Sequence, residues 1–233
     1  MLRVLDYPGR RAEAPVTALG LDDMVALLGD SPPIEGTGPA YAARLDDGPE
    51  PILAYCAASA IAVHLAHRSR EPRPLIFFDP MPATDDDIAR AYATAVAQVP
   101  GGSEPPGPLG ELPSEPEAFL NAVREDLTRR AERALRALGL EDEVVIEPVA
   151  HFVRQHLSYL SYLLAARGEL PDGPVGPMLQ VLSREHSDHR GWLPAGELHT
   201  VRIDSDPTGL TAHEASRSSV MSFLTAVTRR QHR

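Results

Sequence analysis

The chain has 233 residues, enough for one substantial domain, and its 43% hydrophobic and 24% charged residues are ordinary for a globular protein. A formal net charge of −11, with arginine as the sole basic side chain, argues against nucleic-acid binding and against docking on anionic membranes, since both need a basic footprint. One cysteine excludes an internal disulfide framework and any cysteine-based zinc cage. The start, Met1 to Asp6, lacks the basic and apolar regions of a signal peptide, and no apolar run approaches a membrane span, so a cytoplasmic location is expected.

In chain order, Leu2 to Leu5 reads as a short strand ended by the turn Tyr7-Pro8-Gly9. Leu19 to Leu28 carries helical spacing with Gly29 as a stop, Asp30 to Pro39 reads as loop, and Tyr41 to Leu45 as a short helix. Ile52 to Tyr55 is a buried strand, Ala57 to Arg68 an apolar helix, and Leu75 to Phe78 a second buried strand after Pro72 and Pro74. Strand, helix, strand at this length is a βαβ unit, which predicts a parallel sheet.

The acids Asp85, Asp86 and Asp87 suit the N-terminus of a helix over Ala83 to Val99. Gly101 to Pro113 reads as loop, and Ser114 with Glu117 has capping-box spacing for the next helix. That helix should place Leu120, Val123, Leu127, Ala131, Ala134 and Leu138 on one face and stop at Gly139. A further helix is expected from Val149 to Arg167, strands at Met178 to Leu182 and Leu198 to Ile203, and a closing helix from Ala212 to Thr228. The order is α/β, a helical excursion, then α/β again, within one domain. If Leu2 to Leu5 is the sheet edge, a homodimer across that edge is expected.

Cys56 stands between a buried strand and a helix, where a side chain projects into the crevice at the carboxyl ends of parallel strands. A helix N-terminus favours the thiolate, the reactive form, and the Ala57 N–H would serve as an oxyanion donor. Read by itself, a lone cysteine usually acts as a small buried hydrophobe.

The surrounding run Ile52-Leu53-Ala54-Tyr55-Cys56-Ala57-Ala58-Ser59-Ala60, continuing into an apolar helix, resembles the strand, G-x-S-x-G and helix of the thioesterases of nonribosomal peptide and polyketide synthesis, in the α/β-hydrolase superfamily. Leu75-Ile76-Phe77-Phe78-Asp79-Pro80 is similar to that family's "LLDSYP" segment, and Tyr7-Pro8-Gly9-Arg10 resembles its "QYPGR" strand end. The order of these anchors covers almost the entire chain. The resemblance implies an α/β-hydrolase-like, mostly parallel sheet flanked by helices, with a helical lid at about 84–170. It implies hydrolysis or transfer of acyl or peptidyl thioesters held on the phosphopantetheine of a carrier protein, in secondary-metabolite biosynthesis. Cys56 falls on the nucleophile position, Ala57 on the oxyanion backbone position and Asp79 on the orienting acid. Without the resemblance, Asp79 also reads as a cap of the following turn.

This sequence departs from the pattern in four places. Ala54 and Ala58 replace the two elbow glycines, and a Cβ is disfavoured in a strained elbow. The chain starts at the "YPGR" strand, so a truncation is expected to remove the preceding strand and its second oxyanion donor. Asp206 aligns where the family carries the histidine of its "GDH" turn. His213, further on, would then be the base, against the alternative of an exposed helix-start histidine.

Glu185-His186-Ser187-Asp188-His189 holds metal-capable side chains without a zinc spacing and reads as a polar loop; neither metal nor cofactor is expected. Trp192 reads as a packing residue, and Tyr159 to Tyr162 as core or as the wall of an acyl groove. A carrier protein would need a local arginine patch, either Arg68, Arg70 and Arg73 or Arg129, Arg130, Arg133 and Arg136. The losses at the site leave a second expectation: a catalytically degenerate thioesterase fold acting as a binding or scaffold module.

Overall fold

The structure is a computed structural model that describes residues 1–7, 15–45, 48–99, 115–139, 142–173, 175–187 and 191–231. The chain forms two compact units. The first holds Met1–Asp30, Ala42–Pro82 and Gly168–Arg233; the second holds Ser31–Tyr41 and Ala83–Arg167.

The first unit contains the strands β1 (Leu2–Leu5), β2 (Met24–Ala26), β3 (Ile52–Tyr55), β4 (Leu75–Phe78), β5 (Met178–Leu182) and β6 (Leu198–Arg202). Every pairing is parallel, in the order β2-β1-β3-β4-β5-β6. The apolar runs β3 and β4, and β5, which is apolar except for the buried Gln180, are buried along their whole length, as expected for interior strands covered on both faces. Side-chain alternation then sorts the sheet. Leu53, Tyr55, Ile76, Phe78, Leu179 and Val181 share one face with Val220, Phe223 and Val227 of the closing helix, Glu214–Gln231. The helix Ala58–Arg68 packs against β1, β3 and β4 and is buried from Ala58 through Ala66.

Two expectations fail at the start of this unit. Leu19 to Leu28 is not a helix. A 3-10 turn over Val16–Leu19 ends at Gly20, which is left-handed at φ 60°, and Asp23 turns left-handed again at φ 60° before β2. Two such reversals within four residues break helical periodicity, and the backbone pairs with the sheet instead, through Leu2 N–H to Asp23 O and Leu27 N–H to Val4 O. In consequence β1 is not an edge strand. It lies between β2 and β3, so a dimer across its edge loses its premise.

Arg73 is also misplaced as a surface patch residue. It is 1% exposed, and its Nε and Nη2 both donate to the Glu50 carbonyl, at 3.0 and 2.8 Å. Beside it the chain passes so closely that a Cβ on Gly176 would run into the Arg73 backbone.

With the short helix Gly38–Ala43 counted as α1 and Ala58–Arg68 as α2, the second unit carries α3 (Asp85–Ala97), α4 (Pro116–Ala137) and α5 (Asp142–Arg167); the closing helix is α6. A reciprocal capping box of Thr84 and Asp87 starts α3. The capping box expected for α4 fails: Ser114 lies outside the described residues, Glu115 is the N-cap without a side-chain bond, and Pro116 begins the helix. Its buried face is Phe119, Leu120, Val123, Leu127 and Ala131, while Leu138, past the helix end, is exposed. The loop expected over Gly101 to Pro113 lies outside the described residues. α5 starts earlier than its apolar spacing indicates and carries Pro148 within it.

Polar contacts bind the second unit together. Ser161 Oγ accepts from Glu35 N–H at 2.6 Å and donates to Glu35 O at 2.7 Å. Tyr92 of α3 donates to Asp126 of α4 at 2.5 Å, and Arg129 and Arg130 reach the same carboxylate. Tyr159 stacks on Tyr162 with ring centres 6.2 Å apart. Among the described residues no helix is long and apolar enough to cross a membrane.

Candidate active site

β3 runs at the middle of the sheet and delivers Cys56 one residue past its end. Cys56 N–H still donates to Phe78 O, at 2.8 Å, so the ladder extends one rung beyond the strand. The backbone then reverses sharply. Cys56 has φ 52°, in the left-handed region that costs an L-residue about 1–2 kcal/mol. Its carbonyl already accepts from Ser59 N–H at 3.1 Å, starting the first turn of α2. Ala57 occupies the N-cap with no side chain to satisfy the helix terminus, so backbone N–H groups dominate this corner. This is the geometry of a strained strand-to-helix elbow. It forms with fully buried Ala54 and Ala58 in place of glycines, so those methyl groups do not prevent it. Cys56 itself is partly buried and packs on the core face shared with α6.

Asp79 stands in the same position on the neighbouring strand. It follows β4, has φ 41°, and is 4% exposed. Its N–H donates to Val181 O at 3.0 Å, and its Oδ1 accepts from Ser183 N–H at 2.8 Å. This carboxylate therefore bridges to the loop after β5, over a hundred residues away, and does not cap its own turn. Its Oδ2 is buried without a hydrogen-bond partner among the described residues.

The histidine beside Asp79 is His186. Its Nδ1 lies 3.7 Å from Asp79 Oδ1, and its Nε2 lies 3.2 Å from Pro80 O. The ring is largely buried, with 13% of its side chain exposed. Arg202 of β6 holds the supporting loop: one guanidinium nitrogen reaches the carbonyls of Ser183, Arg184 and His186, at 2.7, 3.1 and 2.9 Å. Sequence reasoning placed His186 in a polar loop and missed this pairing. The available signal was its position four residues past a buried strand, at the sheet end where Cys56 and Asp79 emerge.

His213 has a different setting. It is exposed, its Nδ1 accepts from Ala215 N–H at 3.2 Å, and its carbonyl accepts from Ser216 and Arg217, so it starts α6. Asp206, aligned with the family histidine, folds into its own turn. Its Oδ1 accepts from Thr208 Oγ1 at 2.6 Å and from Gly209 N–H at 2.8 Å, and these bonds hold the carboxyl below its ordinary range. The same loop reaches β3, where Tyr55 donates to Pro207 O at 3.4 Å.

Of the run Glu185 to His189, Asp188 and His189 lie outside the described residues. Among the described residues no three His, Cys, Asp or Glu side chains gather as a metal site. Trp192 is half-buried.

No protein-family model matches the sequence, and no curated protein does. Solved structures do resemble it. A four-domain nonribosomal peptide synthetase, holo-AB3403 bound to AMP and glycine, aligns with a TM-score of 0.55 and 13% identity over 97% of this chain, which spans 19% of the synthetase's length. The RedJ thioesterase of the prodiginine pathway of Streptomyces coelicolor aligns with a TM-score of 0.45 and 15% identity, over 96% of this chain and 88% of that one. The NocB thioesterase domain, in a covalent complex with a fluorophosphonate nocardicin G analog, aligns at 0.44 and 15%, over 96% and 94%. At 13% identity the likeness to the synthetase is one of fold alone, here a six-stranded parallel sheet flanked by helices.

Proposed function

We propose that the chain acts on acyl or peptidyl thioesters held on a carrier protein, with Cys56 as the nucleophile, in assembly-line secondary metabolism. The observation that carries this reading is the left-handed elbow at Cys56 beside the buried carboxylate of Asp79. Strain of this kind is kept where the surrounding structure holds it, and a nucleophile between strand and helix is a recurrent use of it.

In the proposed reaction the Cys56 sulfur attacks the thioester carbonyl, and the Ala57 N–H donates to the developing oxyanion. The carbon–sulfur bond to the carrier breaks, leaving the acyl group on Cys56 for water or another nucleophile. Asp79 orients and charge-balances a histidine base. The sequence resemblance assigns that base to His213, whose ring here serves the start of α6.

The test is acylation by an acyl N-acetylcysteamine thioester, read by intact mass and peptide mapping. A stoichiometric adduct on Cys56, absent in a folded Cys56→Ala variant, is the expected result. No adduct across short, medium and long acyl chains would overturn it. The second reading, a binding module that has lost its chemistry, draws on the aspartate at position 206 in place of the family histidine. It predicts carrier-protein binding that Cys56→Ala leaves intact, with no adduct on the wild type.

A further inference from the structure

We propose that β6, at the end of the sheet, and the flank of α6 beside it form the surface on which a second copy of this chain docks, about a two-fold axis at Thr200. The surface lies wholly within the first unit and is independent of the chemistry proposed for Cys56. It moves the dimer expected at β1 to a strand that does form an edge.

The sheet ends at β2 and β6. β2 is three residues long, and shortness is one of the ways an edge is protected from pairing. β6 lacks such protection. It pairs with β5 over all five of its residues without a bulge, contains no proline, and carries its arginine only at the last position. Glu197 O accepts from Met178 N–H, and Ile203 N–H donates to Leu182 O. The odd-numbered backbone groups therefore face β5, while Leu198, Thr200 and Arg202 turn their N–H and C=O outward. Among the described residues these outward groups have no hydrogen-bond partner.

A second β6 laid antiparallel about Thr200 satisfies all of them at once. Thr200 exchanges both bonds with its counterpart, and Leu198 exchanges both with Arg202 of the second copy. A strand pair alone is marginal, and α6 supplies the rest. A groove of about 380 Å³ runs between β6 and α6, lined by Leu179, Val201, Phe223 and Val227. Exposed His199 meets Phe223 edge to face, with ring centres 6.1 Å apart, which sets Thr200 level with the middle of α6. A two-fold axis there turns Met221, 49% exposed, toward its counterpart, with small Ser218 and Ser222 beside it. It also runs the two copies of α6 antiparallel, so the Glu214 end of one faces the Arg229 end of the other. Both residues are exposed, and neither has an ion partner among the described residues. The net charge of −11 keeps copies of this chain apart in general. β6 and α6 escape that excess, since Glu214 is their one acid against Arg202, Arg217, Arg229 and Arg230.

The experiment is sedimentation velocity of the intact chain over a range of concentrations. The expected species has the mass of two chains and dissociates on dilution. Thr200→Pro should weaken association at least about 10-fold, because it removes the donor at the two-fold axis. That N–H points away from β5, so the β5–β6 ladder keeps its own bonds. Ala226→Arg, on the exposed flank of α6 at the groove, should weaken association as well and serves if the proline variant fails to fold. Charge reversal reads the orientation: Glu214→Arg should weaken the dimer, and adding Arg229→Glu should restore it. A monomer at every concentration overturns the proposal. So does a dimer that all of these variants leave unchanged, since it would use another surface. Growth into open polymers would mean that β6 meets β2 of the next copy and would equally overturn it. A monomer that binds a carrier protein, with binding lost in Thr200→Pro, would assign the edge to a different occupant and end the proposal.

Discussion

Cys56 and Asp79 turn left-handed side by side, at φ 52° and 41°, each one residue beyond the paired ends of β3 and β4. Neither is glycine, so two neighbouring strand ends store backbone strain at the same level of the sheet. Such positions normally mark sites where geometry is kept at the expense of stability.

That strain is measurable. At an ordinary position glycine is about 0.5–1 kcal/mol less stable than alanine. At Cys56 the left-handed conformation penalises alanine by about 1–2 kcal/mol, so Cys56→Gly should be as stable as Cys56→Ala or more so. Urea unfolding of the two variants decides it. A glycine variant clearly weaker than the alanine variant would mean the elbow is unstrained.

Gly176 should tolerate no side chain. A Cβ there meets the backbone of Arg73, which is itself anchored through its buried guanidinium to Glu50 O. Backbone cannot move aside as a flexible side chain can, and Gly176→Ala should cost at least about 2 kcal/mol. Gly29, with open space around it, is the matched control and should accept alanine with little change in denaturation midpoint.

Asp126 should make the contact between α3 and α4 sensitive to acid. Burial alone would raise its carboxyl, but hydrogen bonds from Tyr92, Arg130 and Arg129 outweigh that and hold it below the ordinary range. A depressed carboxyl stabilises the fold above its unfolded value, and that contribution is lost as pH falls through the folded value. Asp126→Asn should therefore lower stability at pH 7 by about 1–2 kcal/mol, and the gap to wild type should close in strong acid. An equal gap at both pH values would assign the effect to packing. Tyr92, pushed well above its usual range by burial and then by Asp126, should stay protonated through the alkaline range.

His64 should give the fold a second, milder pH dependence. It lies on α2, 6% exposed, with Nε2 buried and unpartnered among the described residues. Burial first, and then His67, lower its proton affinity. The unfolded chain takes up a proton near the ordinary histidine value of about 6.5 while the folded chain resists, so stability falls as pH drops below that value. His64→Leu should be neutral or stabilising at pH 7.5 and should flatten the decline toward pH 5.5. Parallel slopes for variant and wild type would show that His64 does not titrate in this window.

Much of the fold was legible because it follows from local rules. The apolar runs of β3 and β4, the largely apolar β5 and the helix formers of α2 dictate elements that need only their own backbone periodicity. Where a local signal was ambiguous, tertiary pairing overruled it: Leu19 to Leu28 has helical spacing, yet Met24–Ala26 joins β1 as a strand because Gly20 and Asp23 turn the chain left-handed. The capping signal at Ser114 named the right region and the wrong residue, since Pro116 in the first turn sets where α4 begins.

That Cys56 and Asp79 each follow a buried strand can be read locally, because strand and helix boundaries are written in neighbouring residues. What stands beside them was decided only by tertiary structure. His186 reaches Asp79 because β5 pairs in parallel register with β4, and Arg202 steadies that loop because β6 pairs with β5. Register is a long-range outcome of packing whole strands into one sheet, and no local spacing encodes which loop arrives next to a given carboxylate.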